Sequence, residues 1–279
     1  MAGLGGCARR AHLLRLGFTD RQLMAAVERG LLVRPHRGCF AVKEASSWAV
    51  RTRVLSAQLT CVSAARWLDL PLLRTPRGLH LALPADRGLV ADDRRRRRDL
   101  VLHRLARGVT AEGDALCAPA LAIIDHLGAC VPALEQLVAL DAALNRELLT
   151  TDDVWRLTAT AIPRRSWLAV QAEPRSQAPG ETLARMELKA AGLAVEPQVL
   201  IPGVGHVDLV VEGRVVVEVD GLTYHSSPEA MEEDERRDRE LALRGISRLR
   251  YPYSVVRRSR GLIARQVRAL LMTASSPAA

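Results

Sequence analysis

Residues 206–220, HVDLVVEGRVVVEVD, form two apolar segments that each contain acidic residues. Successive side chains of a strand point to opposite faces of a sheet, so these segments can pair as a hairpin only if their valine faces match. The pairs that satisfy this condition are Val207–Val219, Leu209–Val217 and Val211–Val215. Residues 212–214 then form the loop, and we expect a β-hairpin with one strongly apolar face.

This register places Asp208 directly opposite Glu218, with their Cβ atoms about 4.5–5.5 Å apart. Two negative charges at that distance are destabilising unless one is protonated or a cation lies between them. Mg²⁺ prefers oxygen ligands, so the pair predicts a magnesium site. The alternative is a pair of solvated surface acids. Val210 and Val216 share the face of the acids, which indicates a covered face and favours the metal site.

The charge of the chain indicates a polyanionic partner. Its 279 residues have a formal net charge of +9 and a pI of about 10.1, which favours nucleic acid as the partner. All but two of the 40 basic residues are arginine, a preference that also fits a GC-rich genome. A hydrophobic fraction of 48% predicts a folded protein, and the length predicts about two domains.

The cysteines do not form a recognisable motif. They are odd in number, widely spaced and without a C-x-x-C pair, so we expect buried reduced thiols and neither a disulfide framework nor a zinc site. They are Cys7, Cys39, Cys61, Cys117 and Cys130. No apolar run reaches the roughly 18 residues of a membrane helix, and no signal-peptide core follows Arg9 and Arg10. The sequence therefore predicts a cytoplasmic protein without a membrane partner.

Residues 7–42 predict two helices followed by a hairpin. Thr19 and Gln22 form a capping-box pattern, and Gly30 ends the second helix. The two apolar runs of LLVRPHRGCFAV then predict a hairpin, so residues 1–44 are interpreted as a winged helix-turn-helix. Its candidate DNA contacts, mostly to phosphates, are Arg21, Arg29, Arg34, His36 and Arg37. The alternative for these residues is solvated surface charge.

Residues 45–162 predict a mixed helical and β domain, with strands in GLHLALP and DLVLHRL. Between these strands, Arg94, Arg95, Arg96, Arg97 and Arg98 form a like-charge run. Such a run is either a solvated loop or a clamp on DNA. Three prolines within residues 163–180 predict a linker, and residues 275–279 are expected to be a disordered tail.

The last hundred residues predict an α/β or α+β module, which makes the whole chain a multidomain α/β (α+β) protein. Ser227, Pro228 and Gly245 are typical of the ends of one long helix. The expected helices cover residues 181–191, 228–244 and about 260–272. The expected strands cover about 196–201, 206–211, 214–220 and 246–251.

The motif HVDLVVEGRVVVEVDGLTYH, followed by DERRDRELALRGISRLRY, resembles the very-short-patch-repair (Vsr)-like endonuclease domains of the PD-(D/E)XK superfamily. The resemblance covers roughly residues 181–272, within a domain of residues 181–274. It implies a restriction-endonuclease-like α/β domain with a central mixed sheet. It also implies that Asp208 and Glu218, with the carbonyl oxygen of Val219, bind Mg²⁺, which Mn²⁺ can replace. The metal then activates water for attack on a phosphodiester.

The same resemblance implies a further acid on the preceding helix. The family pattern indicates Glu181, whereas the helical wheel favours Glu187, which lies within an apolar arc. The lysine that usually follows the strand glutamate by two residues is replaced here by Asp220, so Asp220 joins the catalytic candidates. Lys189 could replace that lysine only if its helix points it inward.

Two residues after the central strands extend the candidate site. His225 follows the metal acids, as a histidine does in the repair enzymes that this segment resembles, and is the candidate for proton transfer. Arg237 lies on the following helix, where it could bind a DNA phosphate or pair with Asp220. Its neighbourhood also contains Glu–Arg pairs at i,i+4 spacing, which stabilise a solvated helix without any catalytic role.

The segment GFTDRQLMAAVERGLLVRPHRGCFAV resembles the abortive-infection (AbiEi)-type antitoxin and regulator proteins, and the likeness extends over roughly residues 1–160. Two functions follow. The first is a metal-dependent DNA endonuclease that its N-terminal module targets to duplex DNA. The second is a DNA-binding transcriptional regulator or antitoxin with a degenerate nuclease-like domain and a cognate toxin or a repair or defence partner. The retained acids favour the first, and the missing lysine favours the second.

Overall fold

The computed structural model describes residues 5–74, 77–85, 99–106, 115–221, 228–258 and 260–273. The chain divides into two compact units. The N-terminal unit comprises residues 1–136 and 152–169, and the C-terminal unit comprises residues 137–151 and 170–279. Within the expected linker of residues 163–180, residues 163–171 are helical. In the described part of the chain, no helix has the length and apolar character needed to cross a membrane.

The N-terminal unit begins with two short helices and a small antiparallel sheet. Its elements are β1 (Cys7–Arg9), α1 (Arg10–Arg15), α2 (Asp20–Glu28), β2 (Val33–His36) and β3 (Cys39–Ala41), with sheet order β1-β3-β2. The predicted capping box is confirmed, since Thr19 and Gln22 exchange hydrogen bonds at the start of α2. Leu23 and Phe40 are buried in one core cluster, which fixes α2 against the sheet. The strand β1 was not predicted, because three residues are too few to display an alternation.

The rest of the N-terminal unit combines helices with a second three-stranded sheet. Its elements are α3 (Ser47–Val54), β4 (Gln58–Leu59), α4 (Cys61–Trp67), β5 (Leu79–Leu83), β6 (Leu100–Arg104), α5 (Ala120–Cys130) and a 3-10 helix (Thr151–Arg156). The predicted strands in GLHLALP and DLVLHRL are confirmed as β5 and β6, which pair in parallel. The strand β4 pairs antiparallel to β5. Two helices, α6 (Ala133–Asn145) and α7 (Ile162–Gln171), contribute residues to both units.

The C-terminal unit has a central four-stranded mixed sheet, as the sequence predicts. Its elements are α8 (Pro179–Ala190), β7 (Val195–Ile201), β8 (Gly205–Val211), β9 (Val215–Asp220), α9 (Pro228–Leu243), β10 (Ser247–Pro252), α10 (Tyr253–Arg258) and α11 (Leu262–Thr273). The strand order is β10-β9-β8-β7, and only the β10–β9 pair is parallel. On one face, Leu209 and Val217 pack with Leu188 of α8 and Ile263 of α11. On the other, Val216 packs with Leu241 of α9.

The predicted hairpin register is correct for two of its three pairs. Leu209 pairs with Val217 and Val211 with Val215, but Val207 and Val219 do not continue the ladder between these two strands. Val207 lies instead in the core cluster on the α9 side of the sheet, so the alternation breaks next to Asp208. In the neighbouring strand β7, between the residues that pair with Leu209 and Val207, the backbone of Gln198 has φ of +51°.

A buried ion pair links α6 to α8 within the C-terminal unit. Arg185 Nη2 donates a hydrogen bond to Asp141 Oδ2 at 2.8 Å, and both side chains are at most 2% exposed. The Asp141 carboxylate also accepts from the hydroxyl of Thr182 and from the backbone N–H of Glu173. Burial raises the pKa of Asp141 to about 6, so the carboxyl group is still ionised at neutral pH. This network joins three segments of the unit through charge-assisted hydrogen bonds.

Candidate active site

One buried and one half-buried acid approach the end of β9 from different elements. Glu181 lies in the first turn of α8 and is 4% exposed, and Asp208 is half-buried in β8. Glu181 Oε2 accepts from the backbone N–H of Gln177 at 3.1 Å and from Gln198 Nε2 at 2.9 Å. Asp208 Oδ2 accepts from the backbone N–H of Val219 at 2.8 Å. Each carboxylate is therefore oriented by at least one fixed donor.

Burial and neighbouring negative charges both disfavour the ionised forms of these acids. Burial raises the pKa of Glu181 to about 7, and the charge of Asp208 raises it as well. Burial also raises the pKa of Asp208, and Glu218 and Asp220 add to that shift. Carboxylates that burial and like charges both disfavour are stabilised when a cation binds between them.

A glycine allows α8 to approach β9 closely enough for this arrangement. A Cβ atom on Gly180 would lie 2.5 Å from Cγ1 of Val219, which is shorter than any normal contact. The first turn of the helix therefore rests on the end of the strand, and the next residue, Glu181, is held near it. In the sequence, the glycine directly before Glu181 at the start of the helix is the feature that indicates this close approach.

Glu218 is bound by arginines. Its Oε1 accepts from Arg237 Nη2 at 2.8 Å, and its Oε2 accepts from Arg248 Nε at 2.6 Å. Arg237 was expected to bind a phosphate or to pair with Asp220, but Asp220 pairs with Arg250 Nε at 2.9 Å. Each carboxylate oxygen of Glu218 therefore already accepts a hydrogen bond from a guanidinium group.

The remaining predicted residues of the C-terminal unit lie in other surroundings. Glu187 Oε1 accepts from the backbone N–H of Ala264, so this acid is directed at α11. Lys189 lies at the opposite end of α8 from Glu181, and its Nζ donates to Gln171 Oε1 at 3.0 Å. It therefore does not point toward the two acids. His225 lies outside the described residues, as do all five arginines from Arg94 to Arg98.

The candidate DNA contacts of the N-terminal unit lie on its surface. The side chains of Arg21, Arg29, Arg34 and Arg37 are exposed on or beside α2 and the β2–β3 hairpin. His36 is half-buried, and its Nδ1 lies 3.0 Å from the carbonyl oxygen of Arg37. Four guanidinium groups on this surface are therefore accessible to a binding partner.

A second cluster of potential ligands lies in the N-terminal unit. Within the described ranges, Cys61, His80, His103 and Cys130 are the one group of three or more Cys, His or acidic residues with ligand atoms within 4.8 Å of one another. The fold thus brings two of the five cysteines together with two histidines that are far apart in sequence. The expectation of buried thiols holds for Cys7, Cys39 and Cys61, but Cys130 is exposed. Burial lowers the pKa of His103 to about 4, so its imidazole is neutral at neutral pH.

Comparison with known proteins gives only weak structural likeness. No protein-family model matches the chain, and no curated protein matches it. Among solved structures, the catalytic domain of the homing endonuclease I-Bth0305I is similar over 35% of this chain and 97% of that domain. The sequence identity is 18% and the TM-score is 0.30. A likeness of this size assigns neither the fold nor the activity.

The raised pKa of Glu181 gives the stability of the protein a specific pH dependence. The carboxyl group has a pKa of about 7 when folded and about 4.3 when unfolded, so the folded state binds more protons between these values. Stability from this group is thus present at low pH and lost as the pH rises. We expect the ionisation of Glu181 to lower the free energy of unfolding by about 2–3 kcal/mol from pH 5 to pH 8.

Denaturant titrations at several pH values in EDTA measure this effect. Glu181→Gln should remove that part of the pH dependence, and Mg²⁺ should reduce it in the unaltered protein. Glu187→Gln is the matched control and should keep the original profile. Identical pH profiles for the unaltered protein and Glu181→Gln would contradict the raised pKa of Glu181.

Proposed function

We propose that the C-terminal unit is a metal-dependent endonuclease that hydrolyses phosphodiester bonds in double-stranded DNA. The main support is the pair formed by buried Glu181 and half-buried Asp208, whose pKa values are raised both by burial and by neighbouring carboxylates. Such perturbed acids are typical of functional sites. The sequence resemblance to Vsr-like domains and the net charge of +9 support DNA as the substrate.

The oxygen-rich surroundings of these acids fit Mg²⁺, with Mn²⁺ as a replacement. Asp208, Glu181 and the carbonyl oxygen of Val219 would hold the ion, and Glu218 would join them after release by Arg237 and Arg248. A bound Mg²⁺ would supply an activated water and neutralise charge on the attacked phosphate.

The chain's own residues prepare this site. The N–H of Val219 fixes one oxygen of Asp208, and the amide of Gln198 fixes one oxygen of Glu181. A pKa of about 7 lets Glu181 give up its proton near neutral pH, when a cation arrives. Asp220 and His225, which follow on the chain, are the candidates for proton transfer to the leaving group.

We propose that α1, α2 and the β2–β3 hairpin form a winged helix-turn-helix that binds duplex DNA. The exposed arginines on α2 and the hairpin would contact phosphates. The Arg94–Arg98 run would add contacts that depend on charge alone. Because phosphate contacts carry no sequence information, these residues would position the protein without selecting a site.

Arg37→Ala tests this binding surface. We expect it to weaken binding to all duplex sequences about equally and to reduce the slope of log K against log salt concentration by about 1. Fluorescence anisotropy with two unrelated duplexes at several salt concentrations measures both quantities. Arg66, an exposed arginine on α4, supplies the control. A salt slope that falls equally in Arg37→Ala and Arg66→Ala would place the DNA elsewhere.

One observation favours a second function, a DNA-binding regulator or antitoxin that does not cleave. Both oxygens of Glu218 are bound by arginines, which is the arrangement of a structural ion network. The residue two positions later is Asp220 and not lysine. In this case the C-terminal unit would bind a partner, for which a cognate toxin or a repair or defence protein is the candidate.

Incubation of supercoiled plasmid with the purified full chain separates the two functions. We expect nicking or linearisation with Mg²⁺ and Mn²⁺ and none with EDTA. Tight, salt-sensitive binding without cleavage under any metal condition would exclude the endonuclease and favour the regulator.

A further inference from the structure

Four side chains from four different elements converge in the N-terminal unit, away from any residue assigned above. Cys61 begins α4, His80 lies in β5, His103 lies in β6 and Cys130 ends α5. Their ligand atoms are all within 4.8 Å of one another. Three of these residues are buried, and Cys130 is exposed.

The three separations among the ligand atoms of His80, His103 and Cys130 are close to those between the ligands of a tetrahedral zinc ion. Zn–N bonds of about 2.0–2.1 Å and Zn–S bonds of about 2.3 Å require about 3.3 Å between two nitrogens and about 3.6 Å between nitrogen and sulfur. His80 Nδ1 lies 3.2 Å from His103 Nε2. Cys130 Sγ lies 3.7 Å from the first nitrogen and 3.8 Å from the second. A hydrogen bond between the two imidazoles explains the distance between their nitrogens. It does not explain why the sulfur of Cys130 lies at nearly the same distance from both nitrogens.

The second nitrogen of His80 fixes the tautomer that a metal requires. His80 Nε2 lies 3.3 Å from the carbonyl oxygen of Arg77, an acceptor only, so Nε2 bears the proton and donates it. Nδ1 then points its lone pair toward the cluster. Metal-binding histidines usually show this arrangement, in which the outer nitrogen donates to a carbonyl or carboxylate.

The neighbouring His126 differs from the two histidines of the cluster, because neither of its ring nitrogens faces the cluster. His126 uses both ring nitrogens elsewhere, with Nδ1 at 2.7 Å from the hydroxyl of Thr60 and Nε2 at 3.0 Å from the carbonyl oxygen of Arg104. Its ring stacks on that of His103, with centroids 4.6 Å apart. His126 therefore supports the orientation of His103 without belonging to the ligand set.

The backbone of Cys61 is strained in a manner that fits a ligand position. Its φ is +52°, a left-handed conformation that residues other than glycine rarely adopt. Such strain is maintained where surrounding structure requires it, and it is common at ligand sites. The thiol of Cys61 donates to the carbonyl oxygen of His126 in α5 at 3.5 Å, and its sulfur lies within 4.8 Å of the other three ligand atoms.

We propose that Cys61, His80, His103 and Cys130 bind one Zn²⁺ ion in a structural site. Two sulfur and two nitrogen ligands in a tetrahedral arrangement are typical of zinc. Four protein ligands leave no open position for a substrate, so the ion would connect α4, β5, β6 and α5. This site does not depend on the proposed endonuclease activity.

The test is a zinc titration of the full chain under reducing conditions against a competing indicator chelator. Cys130→Ser alters an exposed residue, so the variant should fold, and Cys117→Ser alters a cysteine of the same unit outside the cluster. We expect one zinc per chain in the unaltered protein and in Cys117→Ser. Affinity should fall by more than about 100-fold in Cys130→Ser, because the loss of an outer partner alone costs about 10–100-fold.

Substitution with Co²⁺ gives a second readout, since tetrahedral coordination with thiolate ligands produces intense visible and charge-transfer bands. These bands should appear in the unaltered protein and weaken in Cys130→Ser. Absence of stoichiometric zinc binding in the unaltered protein, or equal affinity in Cys130→Ser and Cys117→Ser, would overturn the assignment.

Discussion

Asp208→Asn is expected to reduce the rate of Mg²⁺-dependent DNA cleavage by at least about 1000-fold, because the metal contributes several kcal/mol of transition-state stabilisation. Asparagine keeps an oxygen that can accept from the N–H of Val219, so the backbone contact is retained. The charge that is removed is one that burial disfavours. The free energy of unfolding should therefore stay the same or rise, and DNA affinity should not fall.

Single-turnover cleavage of a labelled duplex measures the rate, and anisotropy measures the affinity. Glu233→Gln is the control, because it removes one negative charge from an exposed position on α9 of the same unit. It should cleave at the original rate. If Asp208→Asn cleaves as fast as the control, the active site lies elsewhere. If Asp208→Asn loses its fold, Asp208 is a structural residue.

Asp141→Ala is expected to destabilise the protein by about 3–5 kcal/mol, because it leaves the buried guanidinium of Arg185 without its charge partner. Thr182 and the N–H of Glu173 lose their acceptor in the same step. Urea denaturation followed by circular dichroism measures the loss. Glu173→Ala, which breaks a pair with the exposed side chain of Arg175, should cost about 1 kcal/mol or less.

A double variant separates the charge from the packing at this position. Asp141→Leu combined with Arg185→Met replaces both charges with apolar side chains, and buried pairs replaced in this way often lose little stability. We expect the double variant to be more stable than Asp141→Ala. A double variant that is as unstable as Asp141→Ala would mean that the hydrogen bonds, and not the unpaired charge, determine the cost.

Local patterns predicted much of the C-terminal unit. Period-two alternation located β8 and β9 and set two of the three pairs of the hairpin. The break at Asp208 could not be predicted, because the alternation of the sequence continues through it and the pairing of β8 with β9 ends at Leu209. Residues 163–180 were interpreted as a linker from their prolines, but Pro163 is the second residue of α7, where a missing N–H is tolerated.

The contacts around the candidate site could not be predicted from the sequence for a different reason. Arg248 and Arg250 reach Glu218 and Asp220 only because β10 pairs in parallel with β9 after the intervening helix α9. Likewise, Cys61 and Cys130 meet only through the packing of α4 and α5 around β5. Contacts of this kind depend on the topology of the sheets, which neither the spacing nor the periodicity of the sequence specifies.

The position of β9 between β8 and β10 also has a consequence for biosynthesis. On the ribosome, β9 emerges together with its antiparallel partner β8, but its other edge stays open until residues 247–252 have emerged. During that interval, the backbone N–H and C=O groups of a strand that begins Val215–Val216–Val217 are available to any other extended chain. A polypeptide that stops within α9 would keep this edge permanently, so premature termination there should produce aggregates and not a soluble fragment.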